Sequence, residues 1–313
     1  MRVNRLRFVL AHDGLVLRGG CDLLIVGEKV RPATRGVVLG SSDGGRRLSV
    51  LASFPKSLHV WGIARGGGWL WVVGDLRSGR ALIARARDPR GPWRRVAAPA
   101  GLATATSVAV AGGTVWIAGQ RQTSHGIEAL VFAWRGGSTG FRVAARIRPA
   151  LGRAAFIHEI AAAGGTVVVA GTDSINGVVL AHDARGFYRA QLPRPLSAAN
   201  GAAVVAGRGY AVGASGALGS RRGELLSVSS HTRAWGARRL AGAATVTDIA
   251  FVTSSSGYVI AATLGGSDVR VTSNGGRSWT VVRRLPNVFF ERLLPGATTY
   301  AVGVSGLYRV GVP

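Results

Sequence analysis

The feature that most constrains this chain is a short phrase that returns seven times along it. An apolar run and a glycine-rich turn lead into an aromatic residue, two apolar residues and a glycine. The phrase reads Trp71-Val-Val-Gly74, Trp116-Ile-Ala-Gly119, Val168-Val-Ala-Gly171, Tyr210-Ala-Val-Gly213 and Tyr300-Ala-Val-Gly303, with Leu24-Ile-Val-Gly27 and Tyr258-Val-Ile-Ala261 as variants. Its final positions, 27, 74, 119, 171, 213, 261 and 303, lie 42 to 52 residues apart. That spacing accommodates four short strands with their turns, and a period of this size marks a stack or ring of repeated units. No stretch sustains the 3.6-residue period of a helix. The expected fold is all-β: a seven-bladed β-propeller of four-stranded antiparallel blades, with residues 1–313 as a single domain. Trp or Tyr opens five of the seven copies. A ring at that place would pack against the sheet of the neighbouring blade.

A second column follows each phrase, where a strand ends in a tight turn. Examples are Ser42-Asp43-Gly44-Gly45, Asp88-Pro-Arg-Gly91-Pro-Trp93, Asp183-Ala-Arg-Gly186-Phe187, Ser230-His-Thr-Arg-Ala-Trp235 and Ser273-Asn274-Gly275-Gly276. Asp or Asn caps its own turn and Gly supplies the positive φ. The blades are expected to end near Pro55, Pro99, Pro149, Pro195, Gly242 and Pro286. The last stretch, 287–313, holds only three strands (Phe289–Leu294, Tyr300–Val304, Leu307–Val310). Arg2–Leu10, before a first inner strand starting near Asp13, is expected to supply the fourth, which closes the ring and removes an open edge.

Thr272-Ser273-Asn274-Gly275-Gly276-Arg277-Ser278-Trp279 resembles the Asp-box, or bacterial neuraminidase repeat, Ser-x-Asp-Gly-Gly-x-Thr-Trp. Ser41, Asp43, Gly44 and Gly45 match its first half, but Leu48 stands where Trp is expected. The motif is structural. It is shared by sialidases, secreted glycan-active enzymes, sortilin-like receptors and propellers of the photosystem II assembly-factor type, so it implies a WD40- or YVTN-like architecture and not a single activity. The resemblance also implies an extracytoplasmic location. No export signal is read in the chain: Met1–Arg7 is basic, but Phe8–Leu10 is too short for a signal core.

The charge is extreme, with 39 Lys+Arg against 14 Asp+Glu and a net of +25. Only Lys29 and Lys56 are lysines. Two readings stand side by side. The arginines are the footprint of a polyanion, such as nucleic acid, an anionic glycan or a membrane surface, or they reflect a GC-rich coding bias. The longest basic clusters are pairs, with no basic tail or helix, which argues against nucleic acid. Cys21 is the single cysteine, read as a buried strand residue; it permits no intrachain disulfide and no thiolate metal site. Val96–Gln120 carries no charge over 25 residues, but Pro99, Gly101, Gly112 and Gly113 interrupt it. It reads as a hairpin and not as a transmembrane segment.

Propellers place ligands at the end of the central channel where the inner strands start. Alignment of those strands gives the column Gly62, Ser107, Glu159, Gly201, Asp248 and Glu291, with His59, Trp61, His158 and Arg292 beside it. Facing a channel mouth, these carboxylates and imidazoles would form a binding ring. Alternatively the acids pair with the surplus arginines, as buried carboxylates must. The six histidines show no ligand spacing, and His158 and Glu159 alternate across a strand, so no metal or cofactor is expected. The functional expectation is a monomeric, non-enzymatic binding or scaffolding propeller for a protein or anionic polymer. The alternative is a neuraminidase-like glycan-active enzyme using Glu159, Asp248 and Glu291. Against it, the Arg-Ile-Pro signature of sialidases is absent, and seven blades differ from their six.

Overall fold

A computed structural model describes residues 2–4, 9–17, 22–30, 33–136, 138–150, 152–217, 219–229, 232–303 and 306–311. Cys21 and the turn residues Ser230 and His231 lie outside them. No helix forms among the described residues, so none is long and apolar enough to cross a membrane. The strands assemble into seven blades. The first six inner strands are Val9–Val16, Ser57–Gly66, Thr104–Ala111, Phe156–Ala163, Ala198–Val205 and Thr245–Phe251. Each is followed outward, in chain order, by three antiparallel neighbours. In the third blade a short parallel segment, Arg153–Ala154, adds to the third strand, Gly126–Arg135.

The seventh blade is assembled from both ends of the chain. Its order from the channel outward is Arg292–Leu294, Thr299–Gly303, Gly306–Gly311 and Arg2–Asn4. The N-terminal segment is therefore the outer strand, as expected, but shorter than Arg2–Leu10. Val9 and Leu10 already belong to the first inner strand, which starts before Asp13. The last inner strand likewise starts at Arg292, not Phe289.

The repeated phrase falls on the second strand of every blade. Trp71, Trp116, Tyr210, Tyr258 and Tyr300 are buried there. Trp71 packs 5.4 Å from Trp134 of the next blade, Trp116 meets Phe187 at 5.6 Å, and Tyr210 meets Phe251 at 4.4 Å. Buried apolar side chains form seven clusters, each spanning one pair of adjacent blades, including the seventh with the first. The core is thus a ring of interfaces, and no blade can bury its own faces alone.

The glycine that ends the phrase has a steric cause. In six blades the inner strand carries a β-bulge, at Ala11/Asp13, Val60/Gly62, Ala105/Ser107, Ile157/Glu159, Ala199/Gly201 and Val246/Asp248. The residue before each bulge pairs with the last position of the phrase, as in Val60 with Gly74 and Ala199 with Gly213. A Cβ on Gly74 would lie 2.1 Å from the His59 carbonyl oxygen, and one on Gly213 would lie 1.9 Å from that of Ala198. The bulge pushes the inner backbone against the second strand, where five of these six blades have glycine and the sixth has Ala261.

The outer strands of the first six blades carry nine of the 39 basic residues: Arg94 and Arg95, Arg142 and Arg146, Arg189, Arg238 and Arg239, Arg283 and Arg284. Charged side chains on an open edge discourage pairing with another sheet. Part of the arginine excess therefore has a local role at the rim.

Candidate functional site

The bulges build the channel mouth. Each places one extra residue at the rim: His12, Trp61, Thr106, His158, Asn200 and Thr247, with Glu291 at the corresponding place in the seventh blade. All seven line one cup of about 610 Å³. Phe156, Phe290, Asp75, Gln120 and the Arg292 side chain complete its wall. The His12 and Trp61 ring centroids lie 4.2 Å apart at a tilt of 44°, and His59 lies 4.7 Å from Trp61. Burial and the Arg292 charge hold the His158 imidazole below its ordinary pKa, so it is neutral near pH 7. It offers the cup one donor and one acceptor.

His59 itself holds blades together. Its Nδ1 lies 2.9 Å from Asp75 Oδ1, and its Nε2 lies 2.7 Å from Glu28 Oε2, close but not aligned as a hydrogen bond. Glu28 belongs to the first blade and Asp75 to the second.

One residue deeper, the inner strands form a second layer: Asp13, Gly62, Ser107, Glu159, Gly201, Asp248 and Arg292. Here the expected column needs one correction. Its five entries from Gly62 to Asp248 hold, but Arg292 takes the seventh place, because Arg292 pairs with Val302 as Asp248 pairs with Ile260. Glu291 stays at the mouth, half-exposed, 3.8 Å from His12 Nδ1. The alignment also passed over Asp13, whose bulge gives the same register signal in the first blade.

The polar side chains of this layer stitch each blade to the next. Asp13 accepts from the Ile63 N–H at 3.0 Å, Ser107 from Ile160 at 3.2 Å, Glu159 from Ala202 at 2.8 Å and Asp248 from Leu293 at 2.6 Å. Where the layer has Gly62 and Gly201 the neighbouring backbone comes close instead; a Cβ on Gly201 would lie 2.9 Å from Asp248 Cα. Arg292 crosses the channel. Its Nη1 donates to Glu159 at 2.8 Å and lies 3.6 Å from Asp248, and its Nη2 donates to the His158 carbonyl at 2.7 Å.

Three buried carboxylates face one guanidinium. Burial pushes Asp13 up to about 6, against the pull of Arg292 and of the Ile63 and Gly14 N–H groups. Burial also raises Glu159 well above the carboxylate range and raises Asp248, each again opposed by Arg292. Burial works against the charge on Arg292, but Glu159, Asp248 and Asp13 outweigh it and hold the guanidinium charged. The carboxylates expected to gather as a catalytic group are therefore divided. Glu159 and Asp248 are occupied by Arg292 and by backbone N–H groups, and Glu291 stands apart at the rim. Among the described residues no three His, Cys, Asp or Glu side chains converge as metal ligands.

The mouth face also carries exposed apolar side chains. Val30, Ile175 and Leu264 sit at the tips of loops between second and third strands, and Phe156 and Phe289 lie at the inner-strand starts. The other exposed large apolar residues, Val50, Val143 and Val282, lie on outer strands, so the opposite face has none among the described residues.

The fold and its plugged channel define a seven-bladed β-propeller with one open cup. No family model and no curated protein matches the chain. Solved structures do. "YCF48 bound to D1 peptide" superimposes with a TM-score of 0.66 at 12% identity, covering 100% of this chain and 96% of that one. The WD40 β-propeller domain of Doa1 superimposes with a TM-score of 0.65 at 13% identity, covering 98% and 94%. These likenesses establish the architecture.

Proposed function

We propose that the protein is a non-enzymatic binding propeller that docks a protein partner on its mouth face and takes an extended segment of that partner into the cup. The observation that carries this reading is the join of two features on one face. A cup of about 610 Å³, lined by polar and aromatic side chains, is flanked by exposed Val30, Phe156, Ile175, Leu264 and Phe289. An apolar ring around a polar pocket suits a partner that buries its surface and inserts one segment. The similar propeller named with a bound peptide supports it by analogy.

The partner is acidic in this proposal, because a net charge of +25 accelerates encounter with an anionic surface. The Asp-box relationship belongs here too. Its support is that two turns close with the same bonds: Ser41 accepts from Gly45 at 2.8 Å and Thr272 from Gly276 at 3.0 Å, while Asp43 and Asn274 each accept at 2.9 Å from the N–H four residues on. The closed ring supports treating 1–313 as one domain. An extracytoplasmic location, on the strength of the resemblance, and a monomeric state complete the proposal.

The test is a peptide array of extended acidic and neutral segments, read with the native protein and with Trp61→Ala and Phe289→Ser variants. Each variant should lower the affinity of a selected peptide by at least about tenfold, the usual loss at an aromatic anchor. Peptides that bind both variants as tightly as the native protein would show that the mouth is not the docking site.

A further inference from the structure

Arginines that gather on this protein mostly gather around a carboxylate. Arg121, Arg146 and Arg148 surround Glu128 at 2.6 to 3.9 Å. Arg194 and Arg239 flank Glu224, and Arg185 and Arg233 hold Asp183. Arg85 and Arg87 instead gather over the Trp69 ring, and a further grouping also lacks a carboxylate. On the face opposite the mouth, a two-lobed groove runs between the fifth blade and the Gly275–Gly276 turn of the sixth, with lobes of about 190 and 390 Å³. Arg208 lines both lobes, as does Arg277, and Arg238 lines the first. None of the three has an ion-pair partner among the described residues, and no carboxylate lines either lobe.

The rest of the groove is suited to an anion. Ser255 and Asn274 add neutral polar side chains. The Gly275 carbonyl already accepts from the Tyr210 hydroxyl at 3.2 Å. Gly275 and Gly276 both adopt positive φ, 69° and 84°, so the turn comes to the groove without side chains to fill it. Guanidinium groups present paired N–H donors that match phosphate and sulfate oxygens. A lone exposed arginine binds such a group weakly, but three converging on one groove act together. Two connected lobes fit consecutive anionic groups of a chain better than one isolated ion.

We propose that this groove binds the oxyanion groups of a polyanion, phosphate or sulfate borne on a repeating chain. The site stands apart from the mouth in position and in chemistry, and it gives part of the arginine excess a ligand instead of a compositional origin. Both sources share the tetrahedral oxyanion, and the probes separate them.

The experiment is calorimetric titration of the full chain at low salt with tripolyphosphate, with a sulfated hexasaccharide and with polyglutamate as a carboxylate control. A triple variant, Arg208→Ala with Arg238→Ala and Arg277→Ala, is compared with an equal charge loss at the rim, Arg94→Ala with Arg95→Ala and Arg142→Ala. The groove variant should bind the oxyanion probes at least about tenfold more weakly, from roughly threefold per exposed arginine, while the rim variant stays within about twofold. Binding should weaken with salt, and Trp61→Ala at the mouth should leave it unchanged. All six arginines are surface residues, and thermal melts report whether each variant is folded. Equal losses in groove and rim variants would mean diffuse attraction and overturn the site. So would a native protein that binds neither phosphate nor sulfate probe, or one that prefers polyglutamate.

Discussion

The two ends of the disk are built from the same repeat and use it oppositely. At the turn face, successive blades repeat similar chemistry: glycine turns, Asp or Asn caps and arginines. Burial hardly touches the acids there, and hydrogen bonds from backbone and arginine push Asp43 and Asp183 below their ordinary range. At the mouth, the bulge recurs in place but its residue changes from blade to blade, through His12, Trp61, Thr106, His158, Asn200, Thr247 and Glu291. Just beneath, burial drives Asp13, Glu159 and Asp248 in the opposite direction, upward. The backbone device is shared, while the side chains it presents are free to diverge. Variation confined to one end of a regular scaffold marks where a propeller can acquire specificity.

This contrast can be broken most sharply at Arg292. Arg292→Met should cost on the order of 4 kcal/mol in a denaturant melt, because it leaves buried carboxylates without their cation. Adding Glu159→Gln and Asp248→Asn should restore much of that loss. At the turn face, Arg233→Ala removes a half-buried partner of Asp183, at a cost in stability well below the loss at Arg292. Comparable losses at both ends would show that the channel layer is no more constrained than the surface.

Gly213→Ala should come next, at about 3 kcal/mol, since its Cβ would lie 1.9 Å from the Ala198 carbonyl oxygen and the backbone must shift to admit it. Gly67→Ala at the turn face has positive φ but nothing within 4 Å of the added carbon. It should cost about 1 kcal/mol, from backbone strain alone.

The pH dependence separates the two sets of acids. Asp13 keeps its proton up to about pH 6 in the folded protein, against 3.8 for an ordinary aspartate. Its contribution is therefore fully present below about pH 4 and is lost as pH rises to about 6, by up to about 3 kcal/mol. The depressed Asp43 and Asp183 act in the other sense, and their contribution is lost as pH falls below about 4. Calorimetry should find a melting temperature that rises as pH falls from about 6 to about 4 and then falls. Asp13→Asn should flatten the upper limb of that profile and leave the acid limb in place. A profile that only declines from pH 7.5 downward would remove the channel acids from the explanation.

The smallest expected effect is at the second Asp-box-like turn. Thr272→Val removes the acceptor for the Gly276 and Asn274 N–H groups and should cost about 1 kcal/mol. It should leave peptide binding at the mouth unchanged.

What the chain declares by itself is what repeats. The seven-fold phrase, its period and its aromatic ring were enough to specify the blades, the interfaces between them and the strand borrowed from the N-terminus. These depend on local pattern and on burial, which composition and spacing report directly. Only the tertiary structure decided which residue each bulge turns into the cup. The seventh inner strand is only Arg292–Leu294 and its pairing shows no bulge, so its register is weakly marked in the sequence and Glu291 is read where Arg292 belongs. Closure of the ring then brought Arg292 against Glu159, 133 residues away, and beside Asp248 and Asp13. No spacing in the sequence encodes that meeting, because it depends on distant blades facing one axis.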